Sequence, residues 1–259
     1  KVSLSDITDQ RARFAASGWK VLHCDGHDPA AIDAALTEAK RSEQPVFIDC
    51  KTHIGFGSPK KQDTAGAHGS PLGPDEIAAV REIYGWNHAA FEIPDDIRAS
   101  WREAGLRGSA DRQEWESRIA ALPAGRRTSF DRALSGELPA KVAGLIRGLK
   151  RQAAESKPKV ATRRSSEMVL EVLNPAIPEM LGGSADLTGS NNTRTADLGI
   201  FSPENRKGRY IHYGIREHGM AAAMNGIQLH GGFHPYGGTF FAFTLYARGP
   251  LRLSALVGL

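Results

Sequence analysis

Two apolar runs in the first fifty residues, at 19–24 and 45–50, have the length and composition of β-strands. The second run is apolar enough to predict a strand that is buried in a parallel sheet. Between the runs, Asp28 is followed by Pro29, the order expected of a helix N-cap and the first helical position, so we predict a helix to about Arg41. A strand, a helix and a strand with short joints predict a right-handed crossover unit.

Helical patterns surround this unit and extend through the middle of the chain. Residues 9–17 favour a helix that ends at Gly18. Residues 74–122 have an amphipathic helical pattern. Its breaks fall near Gly85, Pro94 and residues 105–108. Residues 123–160 are polar and basic, with one predicted helix at about 139–155, and we interpret this stretch as an inter-domain connector.

A second α/β region is predicted after Thr162. Its predicted elements are a helix at 163–173, a strand that begins at Glu179 and ends in a glycine-rich turn at Asp186, a strand at 209–213 and a helix at 216–230. Strands that alternate with helices favour the α/β class with parallel sheets.

The loop that follows the second strand is rich in glycine and carries His68. Its glycines are Gly55, Gly57, Gly66 and Gly69. Because ligands of open α/β sheets lie at the carboxyl ends of the strands, we expect a ligand near this loop. A histidine there can hydrogen-bond a hydroxyl group or transfer a proton. The alternative is a solvated loop with an ordinary histidine.

Three further places carry candidate chemistry in the second region. Arg163 and Ser190 have the side chains that bind phosphate, although they are distant in sequence and equally suit a surface arginine and a turn serine. Glu217 lies in the first turn of a predicted helix, where it either complements the helix dipole or reaches a ligand at the end of a strand. The aromatic side chains of Phe240, Phe243 and Tyr246 either stack on a heteroaromatic ring or form part of the core.

Composition narrows the class of protein. The chain has 259 residues, of which 41% are hydrophobic and 24% charged, the balance of an ordinary globular protein. The net charge of +4 is spread along the chain, which indicates no nucleic-acid partner, and no apolar run is long enough to cross a membrane. The two cysteines, Cys24 and Cys50, are expected to be reduced in a cytoplasmic protein.

The sequence predicts no metal site within this chain. His23, Asp25 and His27 have a spacing that permits two ligands on one strand face, but no Cys/His set of the zinc type accompanies them. The chain begins beside one apolar pattern and ends inside another, so we expect it to be an internal fragment of a longer protein.

Taken together, five stretches of the sequence resemble transketolases. They are residues 14–28, 51–73 (KTHIGFGSP with HGSPLG), 162–166, 181–193 (LGGSADLTGSNNT) and 210–252 (YIHYGIREHGMAAAMNGI with PYGGTFFAF). These stretches follow the order of the family across nearly the whole chain. The pattern departs at Leu245, where the family usually has an acidic residue.

The resemblance implies a fold and a domain organisation. Transketolases consist of α/β domains that bind thiamine diphosphate, and two parallel-sheet domains of this type are expected here, both incomplete. Residues 1–125 would be the rear part of the diphosphate-binding domain, residues 126–157 the linker, and residues 158–259 the front part of the pyrimidine-binding domain. The family forms homodimers with the active sites at the interface.

The resemblance also implies roles for residues of this chain. Glu217 matches the glutamate that bonds N1′ of the cofactor pyrimidine, and Phe240, Phe243 and Tyr246 match its aromatic pocket. His68 matches a catalytic histidine near the cofactor diphosphate and the substrate. Arg163 and Ser190 match the groups that bind the substrate phosphate. Asp186 matches an acidic residue at the dimer interface close to the cofactor.

The implied reaction is the transfer of a two-carbon ketol unit from a ketose phosphate to an aldose phosphate in the pentose phosphate pathway. Xylulose 5-phosphate and ribose 5-phosphate would give sedoheptulose 7-phosphate and glyceraldehyde 3-phosphate. The family's Mg²⁺ ligands, a Gly-Asp-Gly motif with a downstream asparagine, are expected outside this chain. Two alternatives stay open: an inactive fragment that only dimerises or binds a partner, and another thiamine-diphosphate enzyme such as a deoxyxylulose-phosphate synthase.

Overall fold

The structure is a computed structural model that describes residues 2–259. The chain forms two compact units, one that ends at Arg107 and one that begins at Gly108. Within the described residues, each helix is too short or too polar to cross a membrane.

The first unit is built on the predicted crossover. Its helices and strands are α1 (Gln10–Ala16), β1 (Lys20–Asp25), α2 (Pro29–Ala39), β2 (Val46–Lys51), α3 (Pro74–Ile83) and α4 (Asp95–Leu106). Strands β1 and β2 are parallel, and their register runs from Lys20 opposite Val46 to Asp25 opposite Lys51. The Asp28 side chain accepts hydrogen bonds from the backbone of Ala30 and Ala31, which confirms the predicted N-cap of α2.

The second unit contains a three-stranded parallel sheet. Its helices and strands are α5 (Ser109–Ala120), α6 (Ala124–Ser135), α7 (Val142–Ser156), α8 (Thr162–Ala176), β3 (Met180–Ser184), α9 (Thr188–Asn191), β4 (Tyr210–His212), α10 (Glu217–His230), β5 (His234–Pro235) and α11 (Arg248–Val257). The strand order is β4-β3-β5, with both pairs parallel. The predicted α/β class with parallel sheets is confirmed.

The stretch predicted to contain one helix contains two, so this prediction is wrong. Helix α6 precedes α7 and ends at Gly136, which adopts a left-handed conformation with φ of 74°. Tertiary contact stabilises α6: the Arg132 guanidinium donates to the Glu179 carboxylate at 2.5 Å, and both side chains are largely buried. Val142 of α7 is buried against Ala176 and Ile177 at the end of α8. These contacts join distant parts of the sequence, and a local pattern does not reveal them.

Two glycines of β3 allow bulky rings to lie against the sheet. A Cβ atom on Gly183 would overlap the Tyr213 ring and lie 2.8 Å from the Ile211 carbonyl oxygen. A Cβ atom on Gly182 would overlap the Tyr236 ring. Only glycine permits this close approach of backbone and ring.

Candidate functional site

A cavity of about 620 Å³ opens in the second unit, beside the start of α8. Three segments line it: the start of α8, the turn around α9, and the segment that follows β5. Its lining residues include Arg163, Ser166, Ser190, Thr193, Thr239 and Phe240. The cavity therefore brings together side chains that are far apart in sequence.

Arg163 and Ser190 meet at this cavity. The Arg163 guanidinium donates a hydrogen bond to the Ser190 backbone carbonyl at 3.2 Å. This contact joins Arg163 to the backbone of Ser190, and both residues line the cavity. A guanidinium and a hydroxyl placed together suit the oxygens of a phosphate group.

Glu217 lies buried at the start of α10, with only 7% of its surface exposed. Thr239 donates to the Glu217 Oε1 atom at 3.4 Å, which is the one hydrogen bond of this carboxylate to the described residues. A distance of 3.4 Å is long for a hydrogen bond between two oxygen atoms. The helix dipole favours a negative charge here, but Glu217 retains unused capacity to accept hydrogen bonds. Because Thr239 also lines the cavity, this capacity lies next to the cavity.

The aromatic side chains beyond β5 form a row. The ring centroids of Phe240 and Phe243 are 5.7 Å apart, and those of Phe243 and Tyr246 are 5.9 Å apart. Phe240 is 41% exposed and Tyr246 is 66% exposed, so these two rings lie outside the core of this chain. Exposed ring surfaces that lie in a row suit stacking on a flat heterocycle.

Asp186 lies two residues beyond the end of β3, in a conformation that is uncommon for a residue with a side chain. Its φ is 61°, in the left-handed region, and its side chain is exposed. Aspartate tolerates this region better than most residues do. The turn places the Asp186 carboxylate at the carboxyl end of the sheet, the edge where α/β proteins bind ligands.

His68 lies in the first unit, in the loop that joins β2 to α3. It is exposed and follows a short 3₁₀ helix at Ala65–Ala67. The loop is fixed at several points: the Lys61 ammonium group donates to the carbonyls of Pro71 at 3.1 Å and of Leu72 at 2.9 Å. His68 therefore lies in a loop that the hydrogen bonds of Lys61 hold in place.

Glu76 also holds this loop in place, through hydrogen bonds from Ser58 and Lys60. The sequence did not identify this residue. Its buried carboxylate accepts a hydrogen bond of 2.5 Å from the Ser58 hydroxyl and one of 2.7 Å from the Lys60 backbone. The hydrogen bond from Ser58 and that from Lys60 lower the pKa of Glu76. An acidic residue two positions after Pro74, in the first turn of a predicted helix, is the sequence signal that points to such an anchor.

Hydrogen bonds join the hydroxyl groups of Thr188, Tyr210 and Thr193 beside the cavity. The sequence did not predict this chain of hydroxyl groups. The Thr193 hydroxyl donates to Asn191 Oδ1 at 3.0 Å, which leaves the Tyr210 hydroxyl to donate to Thr193 at 2.7 Å. Thr188 then donates to Tyr210 at 2.9 Å. Asn191 and Thr193 line the cavity, so the fully buried Tyr210 fixes part of its wall.

Tyr236 also forms a hydrogen bond with Thr193, which lines the cavity. Its hydroxyl donates to the Thr193 carbonyl at 2.8 Å and accepts from the Asn174 side-chain amide at 3.1 Å. Burial raises the pKa of Tyr236 to about 12. The phenol of Tyr236 therefore keeps its proton. Tyr210 and Tyr236 both form hydrogen bonds with Thr193, next to α9, and no local sequence motif identifies either tyrosine.

Within residues 2–259, no group of three or more His, Cys, Asp or Glu side chains is placed to hold a metal ion. His23 lies within β1 and His27 lies two residues beyond its end, and the two histidines have separate partners. His23 Nδ1 lies 2.9 Å from the Asp49 carbonyl oxygen. His27 Nε2 accepts a hydrogen bond of 2.8 Å from the His53 backbone.

The known proteins that this chain resembles in sequence and in fold include transketolases. Residues 1–139 match the family described as "Transketolase, thiamine diphosphate binding domain", and residues 158–259 match "Transketolase, pyrimidine binding domain". The chain belongs to the transketolase family.

Individual relatives agree with this assignment. A transketolase of Rhodobacter capsulatus is 60% identical over 258 residues, which cover 100% of this chain and 38% of that protein. The structure of transketolase from Leishmania mexicana is 39% identical, with a TM-score of 0.85 over 99% of this chain and 38% of that one. The structure of Pichia stipitis transketolase in complex with sedoheptulose 7-phosphate is 36% identical, with a TM-score of 0.85 over 99% of this chain and 39% of that one. The chain thus spans about 38% of the length of relatives such as the first two.

Proposed function

We propose that the protein transfers a two-carbon ketol unit reversibly from a ketose phosphate to an aldose phosphate, with thiamine diphosphate as cofactor. Xylulose 5-phosphate and ribose 5-phosphate are the proposed substrates, and the pentose phosphate pathway in the cytoplasm is the proposed setting. The family match and the sedoheptulose 7-phosphate that the Pichia stipitis relative binds support this proposal.

The buried Glu217 carboxylate carries the proposal. It has one long hydrogen bond, from Thr239, and unused accepting capacity next to the cavity. A carboxylate with unused accepting capacity fits the pyrimidine of thiamine diphosphate, whose ring nitrogen N1′ can share a proton with it. When bound, the cofactor supplies an electron sink for cleavage of a C–C bond next to a carbonyl group. The role of Glu217 is to hold a proton at N1′, and the rings of Phe240, Phe243 and Tyr246 would flank the heterocycle.

Arg163 and Ser190 would bind the phosphate of the sugar. This proposal is supported by the 3.2 Å hydrogen bond of the Arg163 guanidinium to the Ser190 backbone carbonyl and by the position of both residues in the lining of the cavity. A phosphate bound there positions the sugar by its unreactive end. His68 would act near the cofactor diphosphate and the substrate, and hydrogen-bond the sugar hydroxyls or move a proton.

We propose that two copies of the protein form a homodimer with active sites at the interface, where Asp186 would lie close to the cofactor. The domain bounds proposed for this arrangement are 1–125 for the diphosphate-binding part, 126–157 for the linker and 158–259 for the pyrimidine-binding part. Mg²⁺ is the proposed companion of the diphosphate. The described residues include no cluster that would hold it, so its ligands are assigned to no residue of this chain.

The decisive experiment is an assay of ketol transfer by the protein at its native length, with thiamine diphosphate and Mg²⁺ supplied and the intact mass measured on the same sample. Wild-type protein should transfer the ketol unit, and Glu217→Gln should lower kcat by about a hundredfold or more, as expected for loss of a proton-holding group. Glu204→Gln is the matched control, because Glu204 is an exposed glutamate of the same unit.

The outcomes separate the alternatives. Absence of transfer by correctly folded wild-type protein would overturn the proposal and favour a protein that only dimerises or binds a partner. Formation of deoxyxylulose phosphate from pyruvate and glyceraldehyde 3-phosphate would instead favour a synthase. Near-normal transfer by Glu217→Gln would remove Glu217 from the mechanism.

A further inference from the structure

The two cysteines of the chain face each other across neighbouring strands. Cys24 of β1 and Cys50 of β2 are directly opposite in the parallel register, and both are free thiols. Their sulfur atoms are 3.6 Å apart. They are separated by 26 positions in sequence, so only the pairing of the two strands brings them together.

This placement meets the geometric requirements of a disulfide. Paired strands lie about 4.8 Å apart, a separation within the range of roughly 4.4–6.8 Å that disulfides span between Cα atoms. The side chains already point to the same face, because their sulfur atoms are in contact. Bond formation therefore requires the two sulfur atoms to close to about 2 Å, without a change in strand register.

The two thiols differ in access, which sets the order of events. Cys50 is exposed, whereas Cys24 is buried. Burial, and then the hydrogen bond with Cys50, raise the pKa of the Cys24 thiol. Cys50 is therefore the thiol that meets an oxidant from solution, and Cys24 reacts second, from within the protein.

We propose that Cys24 and Cys50 form a reversible disulfide within the chain, with a low-molecular-weight disulfide such as glutathione disulfide as the oxidant. The Cys50 thiolate attacks one sulfur of glutathione disulfide, forms a mixed disulfide and releases one glutathione thiolate. The Cys24 thiolate then attacks the Cys50 sulfur, forms the bond between the strands and releases the second glutathione thiolate. Two protein thiols are oxidised, one small disulfide is reduced, and the two protons lost by the cysteines pass to the glutathione thiolates.

The bond would act on the carboxyl ends of both strands. Gly26 directly follows the end of β1, two residues after Cys24. Its backbone N–H donates to the Lys51 carbonyl at 2.8 Å, and a Cβ atom on it would lie 3.3 Å from the Cys50 Cβ atom. The next residue, His27, accepts from the His53 backbone at 2.8 Å. Oxidation therefore links the carboxyl ends of β1 and β2, and the loop carrying His68 departs from the end of β2. The bond should raise the denaturant midpoint of the first unit.

The test is to incubate the folded, native-length protein with glutathione disulfide, trap free thiols with an alkylating agent and measure the intact mass without reduction. We expect a wild-type mass lower by two hydrogens, a digest fragment in which Cys24 and Cys50 are linked, and full reversal by dithiothreitol. Cys24→Ser should stop at a glutathione adduct on Cys50, whereas Cys50→Ser should remain largely unmodified because its remaining thiol is buried.

Three results would overturn the proposal: a stable glutathione adduct on the wild-type protein with no linked fragment, a disulfide between two chains, or equal modification of the two serine variants. The wild-type mass decides the question even if a variant fails to fold. None of these readouts depends on ketol transfer, so the proposed function can fail independently.

Discussion

The hydroxyl groups of Tyr210 and Thr193 lie 2.7 Å apart in the interior of the second unit. Tyr210 belongs to β4 and has no exposed surface, whereas Thr193 lies in the wall of the cavity that Arg163 and Ser190 share. A strand residue therefore fixes the position of a segment proposed to bind phosphate.

Removal of this hydroxyl should weaken both the fold and the site. In Tyr210→Phe, the hydroxyls of Thr188 and Thr193 each lose a partner, and we expect the free energy of unfolding to fall by about 1–3 kcal/mol. Urea unfolding of the second unit would measure this. Tyr246→Phe is the control, because the Tyr246 side chain is 66% exposed. Equal stability of the two variants would contradict the role given to Tyr210.

Replacement of Arg163 should separate phosphorylated from unphosphorylated substrates. Loss of a charged hydrogen bond costs about 1.5–3 kcal/mol, so Arg163→Ala should raise KM for phosphorylated sugars about ten- to hundredfold. KM for a short ketol donor without phosphate should change little. Steady-state kinetics with both donors would check this, with Arg151→Ala, an exposed arginine of α7, as the control. A similar rise in KM for both donors would argue against phosphate binding.

Alanine at Gly183 should damage the sheet. The added Cβ atom would overlap the Tyr213 ring, next to the Ile211 carbonyl, and overpacking of this kind costs about 1–3 kcal/mol. Gly226→Ala in α10 is the matched control, since its Cβ atom would meet no described atom within 4 Å other than its chain neighbours and the nearby backbone of its own helix. That variant should be neutral or slightly more stable, because alanine favours helices over glycine. Thermal unfolding of both variants measures the difference, and a Gly183→Ala protein as stable as the control would refute this packing.

Glu76 should make the first unit sensitive to acid. Its folded-state pKa is lowered by hydrogen bonds from Ser58 and Lys60, so the stabilisation it provides is present above about pH 4.5 and is lost as pH falls through the lowered pKa. Glu76→Gln should therefore be less stable than wild type near neutral pH, and the difference should shrink in acid. Chemical unfolding of both proteins between about pH 3 and 7 would show this. A difference that is independent of pH would mean that the charge of Glu76 contributes nothing.

Local patterns in the sequence determined the elements that frame the candidate site. The alternation of apolar runs with capped helices predicted β1, α2 and β2, and the apolar segments of the second region predicted β3, β4 and α10. These predictions hold because an N-cap such as Asp28, or an apolar run such as that in β2, acts on its own neighbours in the chain. The shared strings indicated the transketolase family, which the family matches confirmed. The roles given to single residues from that resemblance stay predictions.

Tertiary structure alone decided which distant residues meet. The ion pair of Arg132 with Glu179 joins positions 47 apart and supports a helix that the sequence did not predict. The contact of Arg163 with Ser190, the hydroxyl chain through Tyr210, and the facing thiols of Cys24 and Cys50 likewise depend on strand order and register. The pattern of side chains along a segment reflects the preference of that segment for a helix or a strand. The contacts between distant residues depend instead on the order and register of the strands in each sheet. No short segment of sequence contains that information.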